Sequence, residues 1–383
     1  MRTWADISRE ALAANLDLLR AALPRGGRLL LPVKADAYGH GAVAVARWAE
    51  ELDVGWLGVA CREEALELRE SGVVARILLF GPLPAEGVDD LRPAGVTPTL
   101  CSLAEAERWA RTAPGTPAHV EVDTGMGRSG FDWRRAAELA RLRDVAGLAL
   151  EGAYTHFAAA ESDAPFTREQ HDRFRAVIGA LEALGTRFPL VHLSNSAGLL
   201  LHGRMDAHLA RAGIAAYAPS AAYGAERSGT AAWRPLLTWW ARVVQVRDLE
   251  PGDSVGYGRD ARIERPTRAA LLAVGYGDGY PRSQAAGGFV ELRGARCPVL
   301  GRISMDLTTV DVTAVPDVRV GDAALLLGER PGLSADALAG RSNTISYEIL
   351  TGLARRVERR HLLGEPEAEP GTRQAGNPPP RDW

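Results

Sequence analysis

Through roughly the first 220 residues, short apolar runs rich in β-formers alternate with amphipathic stretches of helical period. The β-like runs fall at 28–33, 54–60, 76–80, 96–100, 119–123, 148–157, 190–193 and 210–217. Helix-period segments such as 43–52, 62–70, 103–111, 133–143 and 168–184 lie between them. A further helix, 8–22, precedes the first run, with Ser8 placed as its N-cap and Glu10 in its first turn. Strands separated by helices pair in parallel, because each connection must cross over. Eight such units match an α/β (β/α)8 TIM barrel in number and size; a doubly wound sheet is the alternative. After about residue 231 the texture changes to short strand-like runs broken by Pro-Gly, Gly-Asp and Arg-Gly turns, as expected of a mostly β C-terminal domain. The last stretch, 364–383, is rich in Pro, Gly and charge and is expected to be a disordered tail.

Composition removes several classes of function. A formal net charge of -3 argues against a nucleic-acid partner. No apolar run approaches the roughly 20 residues that cross a bilayer, so no membrane partner is expected. The start, MRTWADISREAL, lacks the basic head and apolar stretch of a signal peptide, which points to the cytoplasm. Cys61, Cys101 and Cys297 are far apart with no CxxC pair, so neither a zinc finger nor a disulfide scaffold is expected, and no metal.

Of the 45 basic residues, Lys34 is the one lysine. Arginine stays protonated, whereas lysine can lose its proton and attack a carbonyl. Lys34 also ends the first β-run, within PVKADAYGHG, which is the catalytic rim of a parallel barrel. Asp123 to Gly130 (DTGMGRSG) formally contains G-x-G-x-x-G, but it follows the fifth run rather than the first, against a dinucleotide fold. Arg128 in that loop suits a carboxylate clamp, since its fork binds bidentately. His156 ends the sixth run, where a structural and a catalytic role are about equally open. Ser196, Gly213 and Ile214 follow runs seven and eight, where barrels often hold a phosphate. Tyr257 and Tyr276 each sit between glycines, a pattern that by itself marks only a turn.

Taken together and in order, these residues closely resemble the alanine racemase family of pyridoxal 5′-phosphate enzymes, from Trp4 to about Arg360. VKADAYGHG resembles that family's cofactor-lysine signature. The resemblance implies a barrel over 9–230 that binds the cofactor, and a β domain of 1–8 plus 231–363 that contributes to the partner's site. It implies a head-to-tail homodimer that interconverts L- and D-alanine by a two-base mechanism and supplies D-alanine for peptidoglycan. Carried over residue by residue, Lys34 holds the cofactor covalently and is one base, and Tyr257 of the other subunit is the opposite base. Tyr38, Ser196, Gly213, Ile214 and Tyr347 bind the phosphate. Arg211 faces the pyridine nitrogen, and His156 bonds to Arg211. Arg128 touches the cofactor's phenolic oxygen and the substrate carboxylate, Met305 of the other subunit binds the substrate through its backbone N–H, and Tyr276 stands near the entry.

Removing the α-proton from one face and returning it to the other needs two bases, and free lysine and tyrosine, with pKa values near 10, both require tuning. An arginine is a poor proton donor to the pyridine nitrogen, which keeps that ring unprotonated. One departure stands out. The family often carries a lysine seven residues before the loop arginine, and here the position is Glu121. A carboxylate there is expected to be the anionic partner that orients Arg128. A racemase of other specificity, such as serine, a non-catalytic cofactor-binding protein and an amino-acid decarboxylase are the competing readings.

Overall fold

The computed structural model describes residues 1–203, 205, 208–218 and 233–364. The expected tail, from 365 on, lies outside the described residues. The chain divides into two compact units: Arg9–Arg234, and Met1–Ser8 together with the chain from Pro235.

The second unit opens with strand β1 (Thr3–Ser8), and the first with helix α1 (Arg9–Ala22). There follow β2 (Arg28–Pro32), α2 (Lys34–Gly39), α3 (Ala42–Glu51), β3 (Trp56–Val59), α4 (Arg62–Glu70), β4 (Arg76–Leu79) and the single turn α5 (Val88–Leu91). Next come β5 (Val96–Leu100), α6 (Leu103–Thr112), β6 (Pro117–Asp123), the short β7 (Phe131–Asp132) and α7 (Ala136–Ala140). The unit is completed by β8 (Ala149–Tyr154), α8 (Ala164–Ala183), β9 (Leu190–His192), α9 (Ser196–Leu201), β10 (Leu209–Arg211) and α10 (Ile214–Tyr217). The main strands run in the order β10-β2-β3-β4-β5-β6-β8-β9, and every pairing is parallel. This is the expected eight-stranded barrel. Its seam is closed by the Arg211 amide, which donates to Ser194 O at 2.9 Å, and the Val191 amide, which donates to His208 Nδ1 at 3.0 Å.

The barrel strands are short and almost entirely buried, as helices cover one face and the interior fills the other. Leu30, Trp56, Leu78, Leu190 and Leu209, from five strands, form an apolar plug inside, with Phe80 packed on it. Two sequence expectations are corrected. The run 210–217 is strand only to Arg211, because Gly213 (φ -91, ψ -97) breaks the extended backbone before α10. The stretch 133–143 is not one helix but 3-10 turns flanking α7, with Arg135 at φ -107, ψ 46 outside helical geometry.

In the second unit β1 pairs antiparallel with β11 (Leu237–Leu249). The strands that follow are β12 (Ser254–Val255), β13 (Ala261–Arg262), β14 (Thr267–Leu272), β15 (Phe289–Leu292), β16 (Ala295–Pro298), β17 (Thr308–Asp311) and β18 (Ala323–Leu327). Two helices, α11 (Ala335–Ser342) and α12 (Ser346–Thr351), lead to β19 (Glu358–Leu362), which pairs parallel with β1. The main sheet runs β16-β15-β18-β11-β1-β19, with β14 on β11 and β17 on β14. The unit is mostly β, as its turn-rich sequence implies.

Tight packing makes Gly58, in β3, a test of the barrel interior. A Cβ there would stand 2.4 Å from the Phe80 ring and 2.9 Å from Leu30 Cδ2. Gly58→Ala should therefore lose about 1–3 kcal/mol of stability, measured by chemical denaturation; an unchanged midpoint would show the barrel to be looser than this.

Candidate active site

The C-terminal ends of the barrel strands gather most of the residues singled out in the sequence. Lys34 follows β2 and begins α2, whose next four residues are left-handed: Ala35, Asp36, Ala37 and Tyr38 have φ of 51–55°. Each such residue costs roughly 1–2 kcal/mol in an L-chain, and nothing in the sequence pattern announced the turn. Its neighbours hold it. Glu64 accepts the amides of Ala35 and Ala60, both at 2.7 Å. Asp36 accepts the Ala42 amide at 2.8 Å, and His40 Nδ1 bonds the carbonyls of Ala37 and Tyr38 at 3.0 and 2.9 Å. The Tyr38 ring stacks on Tyr217, centroids 4.9 Å apart, and Tyr217 donates its hydroxyl to Pro32 O. Glu64, Asp36, His40 and Tyr217 escaped sequence reasoning, because only the fold sets them against this turn.

Lys34 is half-buried, 5.9 Å from the Phe80 ring centroid. Burial and the positive charges of Arg128 and Arg211 lower its pKa, with Glu64 partly opposing them. The amine is thereby tuned toward its neutral, nucleophilic form. Arg211 closes β10 and is 4% exposed. Its Nη2 donates to Thr155 O at 2.6 Å and Leu193 O at 2.9 Å and lies 3.4 Å from His156 Nδ1; its Nη1 reaches His192 Nδ1 at 2.8 Å. Burial, together with Arg211, Arg128 and Lys34, pushes His156 down to about 3, so this imidazole is neutral.

Ser196, Gly213 and Ile214 lie together beside Tyr38. The Ala215 amide donates to Ser196 Oγ at 3.2 Å. A Cβ on Gly213 would come within 2.6 Å of the Tyr38 hydroxyl, so glycine keeps that space open. A hydroxyl from each of two residues beside an open backbone, with the buried Arg211 guanidinium on the strand just before Gly213, suits an aromatic group with an anionic arm.

The expected pairing of Glu121 with Arg128 is corrected. Glu121 is buried, but it accepts from the Ser129 hydroxyl at 2.7 Å and contacts Cys101 Sγ at 3.7 Å. Arg128 makes no hydrogen bond or ion pair with a described residue and influences Glu121 only through space. Gly127 (φ 69) and Gly130 (φ 107) bend the loop so that Ser129, not its neighbour, meets the strand. Burial raises the Glu121 pKa against the opposing effects of Ser129, Arg128, Arg211 and Cys101.

Tyr257, Met305 and Tyr347 belong to the other unit. Tyr257 is 69% and Met305 53% exposed, and Tyr347 sits half-buried in α12. Their loops interlock. Gly256 (φ 78) backs onto the Arg302 amide, and the Tyr276 and Gly277 amides donate to Ser304 O and Met305 O at 3.1 and 2.8 Å.

Two family models cover most of the chain: alanine racemase, N-terminal domain, over residues 7–221, and alanine racemase, C-terminal domain, over 236–361. The chain belongs to the alanine racemase family. An alanine racemase of Deinococcus radiodurans is 44% identical over 363 residues, 94% of this chain and 99% of its own. The alanine racemase structure of Clostridium difficile 630 superposes with a TM-score of 0.89 at 32% identity, covering 95% of this chain and 96% of that one. A Bartonella henselae alanine racemase, solved with covalently bound pyridoxal phosphate, has a TM-score of 0.83 at 29% identity, covering 94% and 100%.

Lys34 provides a direct check on the electrostatics of this family member. With a single lysine, acylation followed by peptide mapping reports one amine. Its reactivity should titrate below the usual lysine value of about 10.4, and Arg128→Met, which removes a positive neighbour, should move the midpoint upward. A midpoint unmoved or lowered in that variant would contradict the assignment.

Proposed function

We propose that this chain racemises alanine with pyridoxal 5′-phosphate held on Lys34, the observation that carries the reading being a lone lysine tuned toward neutrality beside a buried Arg211 and an open, hydroxyl-lined cradle. The residues present fit the group: Tyr38, Ser196, Gly213, Ile214 and Tyr347 would hold its phosphate, and Arg211 would face its ring nitrogen. The cofactor supplies an electron sink for the pair left when the Cα–H bond breaks.

Everything else falls to the chain. Lys34 Nζ takes or returns the α-proton on one face, and Tyr257 of the partner subunit does so on the other, in a head-to-tail homodimer. Tyr257 leads a 3-10 turn fixed by Gly256 and stands exposed on its own subunit, available to a second copy. Arg128, which has no hydrogen-bond or ion-pair partner among the described residues, would take the substrate carboxylate, with the backbone N–H of Met305 from the partner subunit assisting. Glu121, through Ser129, tethers the loop that carries Arg128. His156, neutral beside Arg211, connects that arginine toward the catalytic tyrosine without adding charge. Arg211 has only donors and keeps its proton, so it would leave the ring nitrogen of the bound group unprotonated and limit side reactions by transamination. Among the described residues, no helix is long and apolar enough to cross a membrane. We place the enzyme in the cytoplasm, making D-alanine for peptidoglycan.

Purified protein with pyridoxal phosphate should interconvert L- and D-alanine, and borohydride should fix a pyridoxyl group on the Lys34 peptide. Lys34→Arg should be inactive. Tyr257→Phe should lose roughly 10²–10⁴-fold in racemisation, as removal of a general base does. Co-expressed mixed dimers of Lys34→Ala and Tyr257→Phe should regain activity, because one of their two sites has both bases. Substantial racemisation by Lys34→Arg, or verified mixed dimers without activity, would overturn the reading. Glu121→Gln should raise KM for alanine more than it disturbs cofactor binding; kinetics like the wild type would remove Glu121 from the site.

A further inference from the structure

Five polar side chains cross the barrel interior, from the first residues of its strands to the catalytic rim. Arg76 opens β4, His119 lies early in β6, Glu151 early in β8, and His192 and Arg211 end β9 and β10. Arg76 donates to both oxygens of Glu151, at 2.7 and 2.6 Å. Glu151 Oε2 lies 3.4 Å from His119 Nε2, a contact longer than a good hydrogen bond. His119 Nδ1 lies 3.0 Å from His192 Nε2, and His192 Nδ1 lies 2.8 Å from Arg211 Nη1. Both histidines are completely buried.

The path is built for these rings. A Cβ on Gly152 would stand 2.6 Å from the His119 ring, so glycine makes its seat. Trp56 flanks His119 with centroids 5.4 Å apart, and Tyr154 stacks on His192 at 4.8 Å while Arg211 lies 4.9 Å over the same Tyr154 ring.

Proton positions follow from one fact: Arg211 has donors only. His192 Nδ1 must therefore accept, which puts the His192 proton on Nε2. That proton is donated to His119 Nδ1, and the His119 proton then sits on Nε2, facing the Glu151 carboxylate. From Arg211 to His119 every donor points away from the rim and toward Glu151, which Arg76 meets from the other side. We propose that Glu151 is a positioning residue for racemisation: by holding the His119 proton on Nε2 it sets the tautomer of His192 and so the orientation of Arg211. The inference rests on Arg211 facing the cofactor's ring nitrogen. Without the carboxylate, neutral His119 gains access to its other tautomer. Its Nδ1–H would then confront His192, shift that proton to Nδ1 and set two donors against each other at Arg211.

The charges agree with this polarity. Burial lowers the pKa values of both histidines and Arg211 adds to the effect, while Glu151 partly opposes it at His119. Burial works against the charge of Glu151, but His119 and Arg76 outweigh it and hold the carboxyl down at about 2.

The test uses the full chain loaded with pyridoxal phosphate and labelled with ¹⁵N-histidine. In the wild type at pH 8, two-bond ¹H–¹⁵N correlation spectra should show His119 and His192 both protonated on Nε2 alone. In Glu151→Ala at least one should become a tautomer mixture. In the same variant kcat should fall about tenfold, the low end of the roughly 10–100-fold lost with partners that orient ligating histidines, with a KM change under about threefold. A wild-type proton on either Nδ1 overturns the proposal, and this needs no variant to fold. A folded Glu151→Ala with unchanged tautomers and kcat within about twofold also overturns it. Two Nε2–H histidines in a wild type that fails to racemise alanine would support the relay while counting against the function assigned to the site.

Discussion

A guanidinium shut inside a protein must find an acceptor for nearly every N–H, because an unpaired buried charge costs several kcal/mol. Arg211 meets this demand with the carbonyls of Thr155, His192 and Leu193 and with the imidazole of His192. These acceptors stand at or just beyond the C-terminal ends of β8 and β9, where parallel strands release their last carbonyls. The arginine's own amide closes the barrel seam at Ser194. Closure of the barrel and placement of its central charge are thus one event. The same charge then acts outward, depressing the pKa values of Lys34, His156 and His192.

The left-handed turn after Lys34 is the second expensive element, and its cost is offset locally. Glu64, Asp36 and His40 bind its backbone, and the Tyr38–Tyr217 stack packs its far side. A right-handed continuation of β2 into a helix would carry Tyr38 elsewhere. The turn brings its hydroxyl beside Gly213, where a methyl group would collide with it. Strain just after the lysine and an absent side chain after the eighth barrel strand serve one cradle, as expected where backbone strain persists at a functional site.

The family resemblance extends through both units, yet the site differs in how its loop arginine is supported. Glu121 is not an ion-pair partner for Arg128. It accepts from Ser129 within the loop and from the Cys101 thiol after β5, so the loop is tethered through a neutral hydroxyl. The carboxylate under the loop therefore meets the neighbouring Ser129 and not the Arg128 guanidinium.

Much of this was legible in the residues themselves. Alternating β-runs and helical periods dictate parallel strands and count eight of them, because crossover chemistry is local. The solitary Lys34, and its place at the end of the first run, mark the rim without any contact information. Other features required the folded chain. The run 210–217, apart from Arg211 made of small and apolar residues, reads as strand, but Gly213 turns it into α10 after Arg211. Ser129, and not Arg128, meets Glu121, since a one-residue choice of side in a glycine-bent loop leaves no trace in pattern. His119, Glu151 and His192 are scattered over 73 residues of sequence. Only neighbouring parallel strands, with register set by the barrel, bring them into line, and so tertiary structure alone decided which histidines answer to Arg211.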